Sequence, residues 1–256
     1  MSILTVRDLK KYYGSKLGGS ICRALNGISL DIEDGEFVGI MGPSGAGKTT
    51  LLNIIAAIDD PSSGSVILDG NNIHGMKGTR QAAFRRDTVG FVFQDFNLLD
   101  TLTLRENIIL PLTISKTSVK LIDERVEKLT SMLGIKDILD NYPYEVSSGQ
   151  RQRTAAARAV INNPRLVLAD EPTGALDSKA SRELLQCFTD LNEQHNTTIL
   201  MVTHDAFAAS YCKRIIFIKD GLVFTEIAKG GGSRKEFFDK VLEVLGALGG
   251  ETGELL

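Results

Sequence analysis

Gly42 to Thr50 reads GPSGAGKTT, three glycines, a lysine and two closing threonines set out as G-x-x-x-x-G-K-[ST]. These residue types in this order suit one task. A polyphosphate is dense in negative charge and is held best by backbone N–H groups at close range, which glycine permits because it carries no side chain. Gly42, Pro43, Ser44, Gly45, Ala46 and Gly47 form the turn, and the helix after them aims its unpaired N–H groups at the same anion. Lys48 reaches the β- and γ-phosphates, Thr49 offers a hydroxyl to Mg2+, and Thr50 closes the motif. A second stretch, RLVLADEP, is an apolar run that ends in two adjacent carboxylates. Asp170 is suited to holding hydrated Mg2+, and Glu171 is placed to polarise an attacking water.

Those groups need strands to deliver them and helices to cover the strands. EFVGIM reads as a buried strand that runs into the glycine turn, with TLLNIIAAI as the helix beyond it. RLVLAD, TTILMVT, RIIFIKD and LVFTEI are further strands, with a helix around SRELLQCFTDL and a short one near AFAASYC. Upstream, from Leu4 to about Ile40, ILTVRDL and GISLDI alternate as strands do, with EDGE as a turn. SSGSVILDGNNI returns to strand character around the turn signal Asp69-Gly70. From about Asp95 to Val160 the period becomes helical, and LIDERVEKLTSML sets Leu121, Ile122, Val126, Leu129 and Leu133 along one face. The expected class is α/β.

Composition narrows the function. The chain has 256 residues, 43% hydrophobic and 24% charged, enough for one large domain or two close subdomains with a real core. Its formal net charge is −3 and it has no long Lys/Arg run, so nucleic acid is not an expected partner. Cys22, Cys187 and Cys212 are widely spaced, which points to neither a disulfide framework nor a zinc site. The opening MSILTVRDLKK lacks a signal-peptide core, and no apolar run approaches the roughly 20 residues that span a bilayer. The expectation is a cytoplasmic chain whose membrane role, if any, requires a partner.

Taken in order, GPSGAGKTT, Gln94 in FVFQDFNLL, VSSGQRQR, LVLADEPTGALD and His204 in MVTHD resemble the nucleotide-binding subunit of an ATP-binding cassette (ABC) transporter, over about residues 2–228. The resemblance implies a P-loop NTPase with a RecA-like core, an antiparallel β subdomain and an inserted α-helical subdomain, here about 95–160, followed by a tail over 229–256. It implies ATP as substrate with Mg2+, and an ATP-dependent homodimer in which each site is completed by the other subunit. It also implies an integral membrane permease that holds the chain peripherally on the inner face of the cell membrane. Under it, Tyr13 in KKYYG stacks on adenine, with Tyr12 one residue away as the alternative. Gln94 joins the Mg2+ and water shell. His204 contacts the γ-phosphate or positions the water, whereas His74 and His195 lie in no comparable setting. Asp177 in GALD lies at the subunit junction, or is an ordinary helix N-cap, for which aspartate is well suited.

The segment EVSSGQRQR is a helix start on its own evidence. Ser147 and Gln150 have capping-box spacing, and RQRTAAARA beyond them is strong helix former. The resemblance assigns Ser147, Ser148, Gly149 and Gln150 to ATP held by the other subunit, with Ser148 standing where the family usually has glycine. A first-turn position needs only helical φ, so serine is sterically tolerable there.

FQDFNLLDTLTLRENIILPL with DEPTGALDSK is similar to the branch that contains lipoprotein-releasing and macrolide-efflux ATPases. MVTHDAFAASYCKRIIFIKDG and KGGGSRKEFFDKVLEVLGALGG are most similar, within it, to the ATP-binding subunits of bacitracin- and lantibiotic-resistance transporters of Gram-positive bacteria. That implies resistance transport of peptide antibiotics, with a link to a sensor histidine kinase as a further partner; an ATPase of a lipoprotein-release or macrolide-type system is the alternative, and a non-transport ABC ATPase a more distant one. Phe237, Phe238, Val241, Leu242, Leu245 and Leu248 recur at helical spacing and must cover something apolar, either the chain's own domain, a permease or a second subunit.

Overall fold

The structure is a computed structural model that describes residues 2–14 and 21–249. Residues 250–256, the end of the expected tail, lie outside the described residues.

Two sheets organise the molecule. β1 (Ser2–Tyr13), β2 (Cys22–Glu33), β4 (Ser63–Leu68) and β5 (Asn71–Asn72) make an antiparallel sheet in the order β2-β1-β4-β5. β3 (Phe37–Met41), β6 (Val89–Val92), β7 (Leu166–Asp170), β8 (Ile199–Val202), β9 (Arg214–Lys219) and β10 (Leu222–Ala228) make the second, in the order β10-β9-β3-β8-β7-β6. Within it only β10 runs antiparallel to its neighbour, closing one edge.

Side-chain alternation sorts the core into two layers. Val38, Ile40, Leu166, Leu168, Leu200 and Val202 face α1 (Lys48–Ile55) and the buried face of the antiparallel sheet. Phe37, Met41, Val167, Ala169, Ile199 and Met201 face the opposite way, toward helices. Central parallel strands covered on both faces are therefore apolar throughout, which is why EFVGIM and RLVLAD carry no polar alternation. The helices of the second layer are α3 (Leu104–Ile114), α4 (Val119–Met132), α5 (Ser148–Val160), α6 (Ser178–His195), α7 (Ala206–Ala209) and α8 (Arg234–Gly249). In α4, Ile122, Val126 and Leu129 are buried with Leu133 just beyond, whereas Leu121 lies outside the expected stripe and is exposed. One helix, α2 (Thr79–Thr88), is absent from the sequence reading, because TRQAAFRRDT has no apolar stripe to reveal it.

The expected tail helix packs on its own domain. Phe237, Val241 and Leu248 are buried, Phe238 and Leu245 partly so, and Leu242 faces outward. Arg234 stacks over Tyr211 at 4.4 Å and Phe207 at 5.8 Å, fastening α8 to the turn of helix that follows His204. Each fully buried large side chain contributes about 1.5–3 kcal/mol, enough to hold the helix in place. His74 is structural too, with Nε2 at 3.0 Å from the Ile54 carbonyl. Cys187 and Cys212 are held as thiols by burial, which pushes the Cys187 pKa up to about 11.

A half-buried ion cluster joins the two sheets. Arg214 donates to Glu36 at 2.7 and 3.0 Å, to Glu226 at 2.8 Å and to the Asp31 carbonyl at 2.8 Å. Burial works to raise the Glu36 pKa, but the guanidinium and the Glu33 N–H hold it below the usual glutamate value. The folded chain thus releases this proton at lower pH than the unfolded chain. Its stabilisation is complete above about pH 4.3 and is lost as pH falls through the depressed value. Glu36→Gln is expected to cost about 1.5–3 kcal/mol at pH 7, the worth of a hydrogen bond to a charged group. In thermal melts from pH 7 to 3 it should also flatten the acid limb of the stability curve, and an unchanged limb would count against the assignment.

Candidate active site

The motifs meet because parallel strands end together. Ile40 and Asp170 both pair with Val202, and Val92 pairs with Ala169, so β3, β8, β7 and β6 are level at their carboxyl ends. The chain leaves β3 as the glycine loop, β6 toward Gln94, β7 at Asp170 and Glu171, and β8 toward Thr203 and His204. Open parallel sheets bind ligands at this edge, where strand ends and helix N-termini converge.

The glycine loop is built by close backbone approach. At Gly42 a Cβ would stand 2.1 Å from the Ile218 carbonyl oxygen, and at Gly47, with φ of 96°, 2.3 Å from that of Ala24. Gly45, at φ 79°, has open space in front of it. The Ala46 N–H donates to the Pro43 carbonyl at 3.2 Å, and α1 begins with Leu51 N–H donating to Gly47 at 2.9 Å. Pro43, Ser44, Gly45 and Thr49 remain exposed and Thr50 half-buried, so the concave side is accessible. Lys48 is 8% exposed and folds back along the loop, donating to the carbonyls of Gly42 at 2.8 Å and Pro43 at 2.9 Å. Burial lowers its pKa, while the charges of Glu171 and Asp170 oppose that shift.

The carboxylates are differently mounted. Thr49 Oγ1 donates to Asp170 Oδ1 at 3.3 Å, and burial raises the Asp170 pKa against that hydrogen bond. Glu171 stands at φ 45°, a left-handed conformation that costs a non-glycine residue about 1–3 kcal/mol. Its N–H donates to the Val202 carbonyl at 2.9 Å, and its own carbonyl accepts from Gly174 N–H at 3.0 Å. The twist turns its side chain inward, where Oε2 meets His204 Nδ1. Gln94 lies across Gly174, whose Cβ position is 2.9 Å from the Gln94 Nε2. Thr49, Asp170, Glu171, Gln94 and His204 therefore come together from four strand ends.

Tyr12 and Tyr13 point to opposite faces of β1. The Tyr13 hydroxyl donates to Asp59 Oδ2 at 2.7 Å, Lys11 Nζ lies 4.8 Å over its ring, and Thr50 acts on the same hydroxyl. Tyr12 instead lies under Arg23. Tyr13 is thus the one on the side of the glycine loop. Asp59 and Lys11, which fix it, were missed in the sequence because nothing in spacing connects positions 46 or 48 residues apart.

Comparison with known proteins bears on what this edge is. The family model described as "ABC transporter" matches residues 25–174. An ABC transporter ATP-binding protein of Bacillus subtilis, YvcR, is 52% identical over 254 residues, 99% of this chain and 98% of that one. The bacitracin export ATP-binding protein BceA of Halalkalibacterium halodurans is 50% identical, with 98% of each chain covered. The chain belongs to the ABC transporter family. Among solved structures, the dimeric post-hydrolysis state of the Methanocaldococcus jannaschii cassette MJ0796, bound to ADP and Pi, superposes with a TM-score of 0.81 at 40% identity, covering 89% of this chain and 99% of that one. This ABC subunit is an ATPase with the α/β P-loop fold its sequence implied, antiparallel sheet and helices included.

In this ABC subunit the EVSSGQRQR segment forms a second cluster with the start of α6. Ser147 caps α5, its Oγ accepting from Gln150 N–H at 3.3 Å while Gln150 Oε1 accepts from Ser147 N–H at 2.9 Å. Ser148 is the first helical residue and half-buried; the position with no room is Gly149, whose Cβ would stand 2.8 Å from that of Ala180. Asp177 caps α6, accepting from the N–H groups of Lys179 and Ala180 at 2.9 and 2.8 Å. Arg153 binds Glu183 at 2.7 Å, linking α5 to α6 beside the two capped helix starts. Among the described residues no hydrogen bond joins this cluster to Gly42–Thr50 of the same chain, and Ser147 and Asp177 are exposed.

Proposed function

We propose that this ATPase powers a membrane permease that confers resistance to peptide antibiotics of the bacitracin or lantibiotic type, and that it works as an ATP-dependent homodimer on the inner face of the cell membrane. The observation that carries the substrate class is the extent of the match. The bacitracin export protein aligns over 98% of this chain, whereas the macrolide export protein MacB of Syntrophobacter fumaroxidans aligns over 88% at 43% identity. Among the described residues no helix is long and apolar enough to cross a membrane, so the permease is a separate chain or domain in this reading. A sensor histidine kinase coupled to that permease is the further partner we propose.

The residues take these roles. Tyr13 stacks on adenine, and Gly42 through Thr50 wrap the phosphates, with Lys48 exchanging its two carbonyl partners for phosphate oxygens. Thr49 and Asp170 together offer a hydroxyl and a carboxylate 3.3 Å apart. A cation held by the Thr49 hydroxyl and the Asp170 carboxylate would take its remaining oxygen ligands from phosphate and water, as Mg2+ usually does. Thr49, Asp170 and the Gln94 amide oxygen would hold Mg2+, which supplies neutralisation of the charge that builds on the β- and γ-oxygens. Glu171 takes the proton of the attacking water, and His204 holds that carboxylate and faces the γ-phosphate. Ser147, Ser148, Gly149 and Gln150, with Asp177 beside them, meet the nucleotide of a second copy, since the exposed, capped start of α5 still turns its remaining N–H groups and the positive end of its dipole toward an anion.

Reconstituting the chain with its membrane partner in liposomes and measuring phosphate release tests the substrate class. Bacitracin or a lantibiotic is expected to raise the rate severalfold over the basal value, and stimulation by a macrolide or a lipoprotein alone would overturn it.

A further inference from the structure

Gln152 lies on α5 and is completely buried, away from any nucleotide in the roles given above. Its Nε2 donates twice, to the Phe93 carbonyl at 3.1 Å and to the Pro172 carbonyl at 2.8 Å. Phe93 immediately precedes Gln94, and Pro172 immediately follows Glu171. Both carbonyls stand just past Val92↔Ala169, the last pair of the β6–β7 ladder, where the strands part and the ladder no longer supplies donors. One amide replaces the missing rung. A side-chain amide has two N–H bonds, and both are used here, which also fixes its orientation because the reverse would set an oxygen against two acceptors. The other end of the group gains nothing, since Oε1 is buried without a partner. An apolar side chain would fill the space without that unsatisfied oxygen, so the two carbonyls are what the amide is for.

One of the two turns it holds is strained. Glu171 is in the left-handed region, and its carbonyl and Gly174 close the tight turn against which the Gln94 side chain lies. We infer that Gln152 is a positioning residue that fixes the backbone carrying Gln94 and Glu171, through the juxtaposition of its buried amide with the carbonyls of Phe93 and Pro172. The inference rests on the roles proposed for those two residues.

The test compares ATP binding and steady-state phosphate release by the full chain, with its membrane partner, for the wild type, Gln152→Met, Gln152→Glu and Gln152→Asn. Methionine keeps the volume and removes both donors, glutamate puts an oxygen against the carbonyls, and asparagine keeps the amide one methylene short. The expected result is a kcat about 10- to 100-fold lower for methionine, lower still for glutamate and intermediate for asparagine, with ATP affinity and KM within about twofold because the glycine loop is untouched. In a Glu171→Gln background, where the base is already gone, Gln152→Met should slow turnover by clearly less than it does alone, because the part of its effect that passes through Glu171 has already been lost. A wild-type kcat in the methionine variant overturns the inference, as do a parallel loss of ATP affinity or full multiplication of the two losses in the double variant. If methionine prevents folding, the asparagine variant decides by the same measurements. Normal hydrolysis by Glu171→Gln alone would reject the proposed base, whereas slow hydrolysis by Glu171→Gln with a wild-type kcat in Gln152→Met would reject the inference and leave that base standing.

Discussion

Glu171→Gln is expected to bind ATP with wild-type affinity and to release phosphate about 10²–10⁴-fold more slowly, the range seen when a general base is removed. The substitution is isosteric, so the left-handed turn at φ 45° and the N–H bond to Val202 survive it. What disappears is the capacity to take a proton from water, along with the charge that faces His204 Nδ1. ATP then stays bound in a site that is otherwise complete. If two copies close on two nucleotides, the variant should accumulate as an ATP-bound dimer, visible by size-exclusion chromatography with light scattering, while the wild type returns to monomer as hydrolysis proceeds. Near-normal phosphate release would reject Glu171 as the base.

Gly47→Ala is expected to lower ATP affinity by at least about 100-fold, from the combined cost of left-handed strain and a hard backbone collision. An added Cβ would meet the Ala24 oxygen at 2.3 Å and Leu25 Cδ2 at 2.8 Å, and φ is 96°. The colliding oxygen belongs to β2, which is pinned by its ladder to β1, so it is the glycine loop and the first turn of α1 that must move. Gly45→Ala supplies the control. Its φ is 79° but nothing lies within 4 Å, so only the conformational strain is felt and the affinity loss should be clearly smaller. Fluorescent-nucleotide titration of both variants checks the order, and equal losses would mean that strain, not the approach to β2, sets the requirement at Gly47.

Much of the site could be read before any fold was known, because its parts are local. The glycine turn before Lys48, the paired carboxylates at the end of RLVLAD and the capping box of Ser147 with Gln150 are each set within a few residues, where side-chain chemistry and backbone geometry act directly. The apolar character of EFVGIM and RLVLAD likewise announced strands covered on both faces. The polar helix α2 could not be announced, since its place is set by neighbours and not by a stripe of its own. In α4 and α8 the periodicity gave the helices but overcounted their buried faces, and Leu121 and Leu242 lie outside them because the partner surfaces are narrower than the stripes.

What the sequence by itself determined is where residue types suited to a triphosphate, a cation and a water stand in short order, because that suitability belongs to the residue types and their local spacing. Only the tertiary structure decided which of two adjacent tyrosines stands beside the glycine loop, that Asp177 spends its carboxylate on capping α6, and that the tail helix lies on its own domain. It alone decided that Gly149, and not its neighbour Ser148, is the position where glycine is required, through the approach of Ala180 from another helix. The same holds for Gln152, whose two acceptors lie 59 residues before it and 20 after it. Contacts between segments so far apart along the chain are set by how strands order themselves in a sheet, and no spacing along the chain encodes that distance.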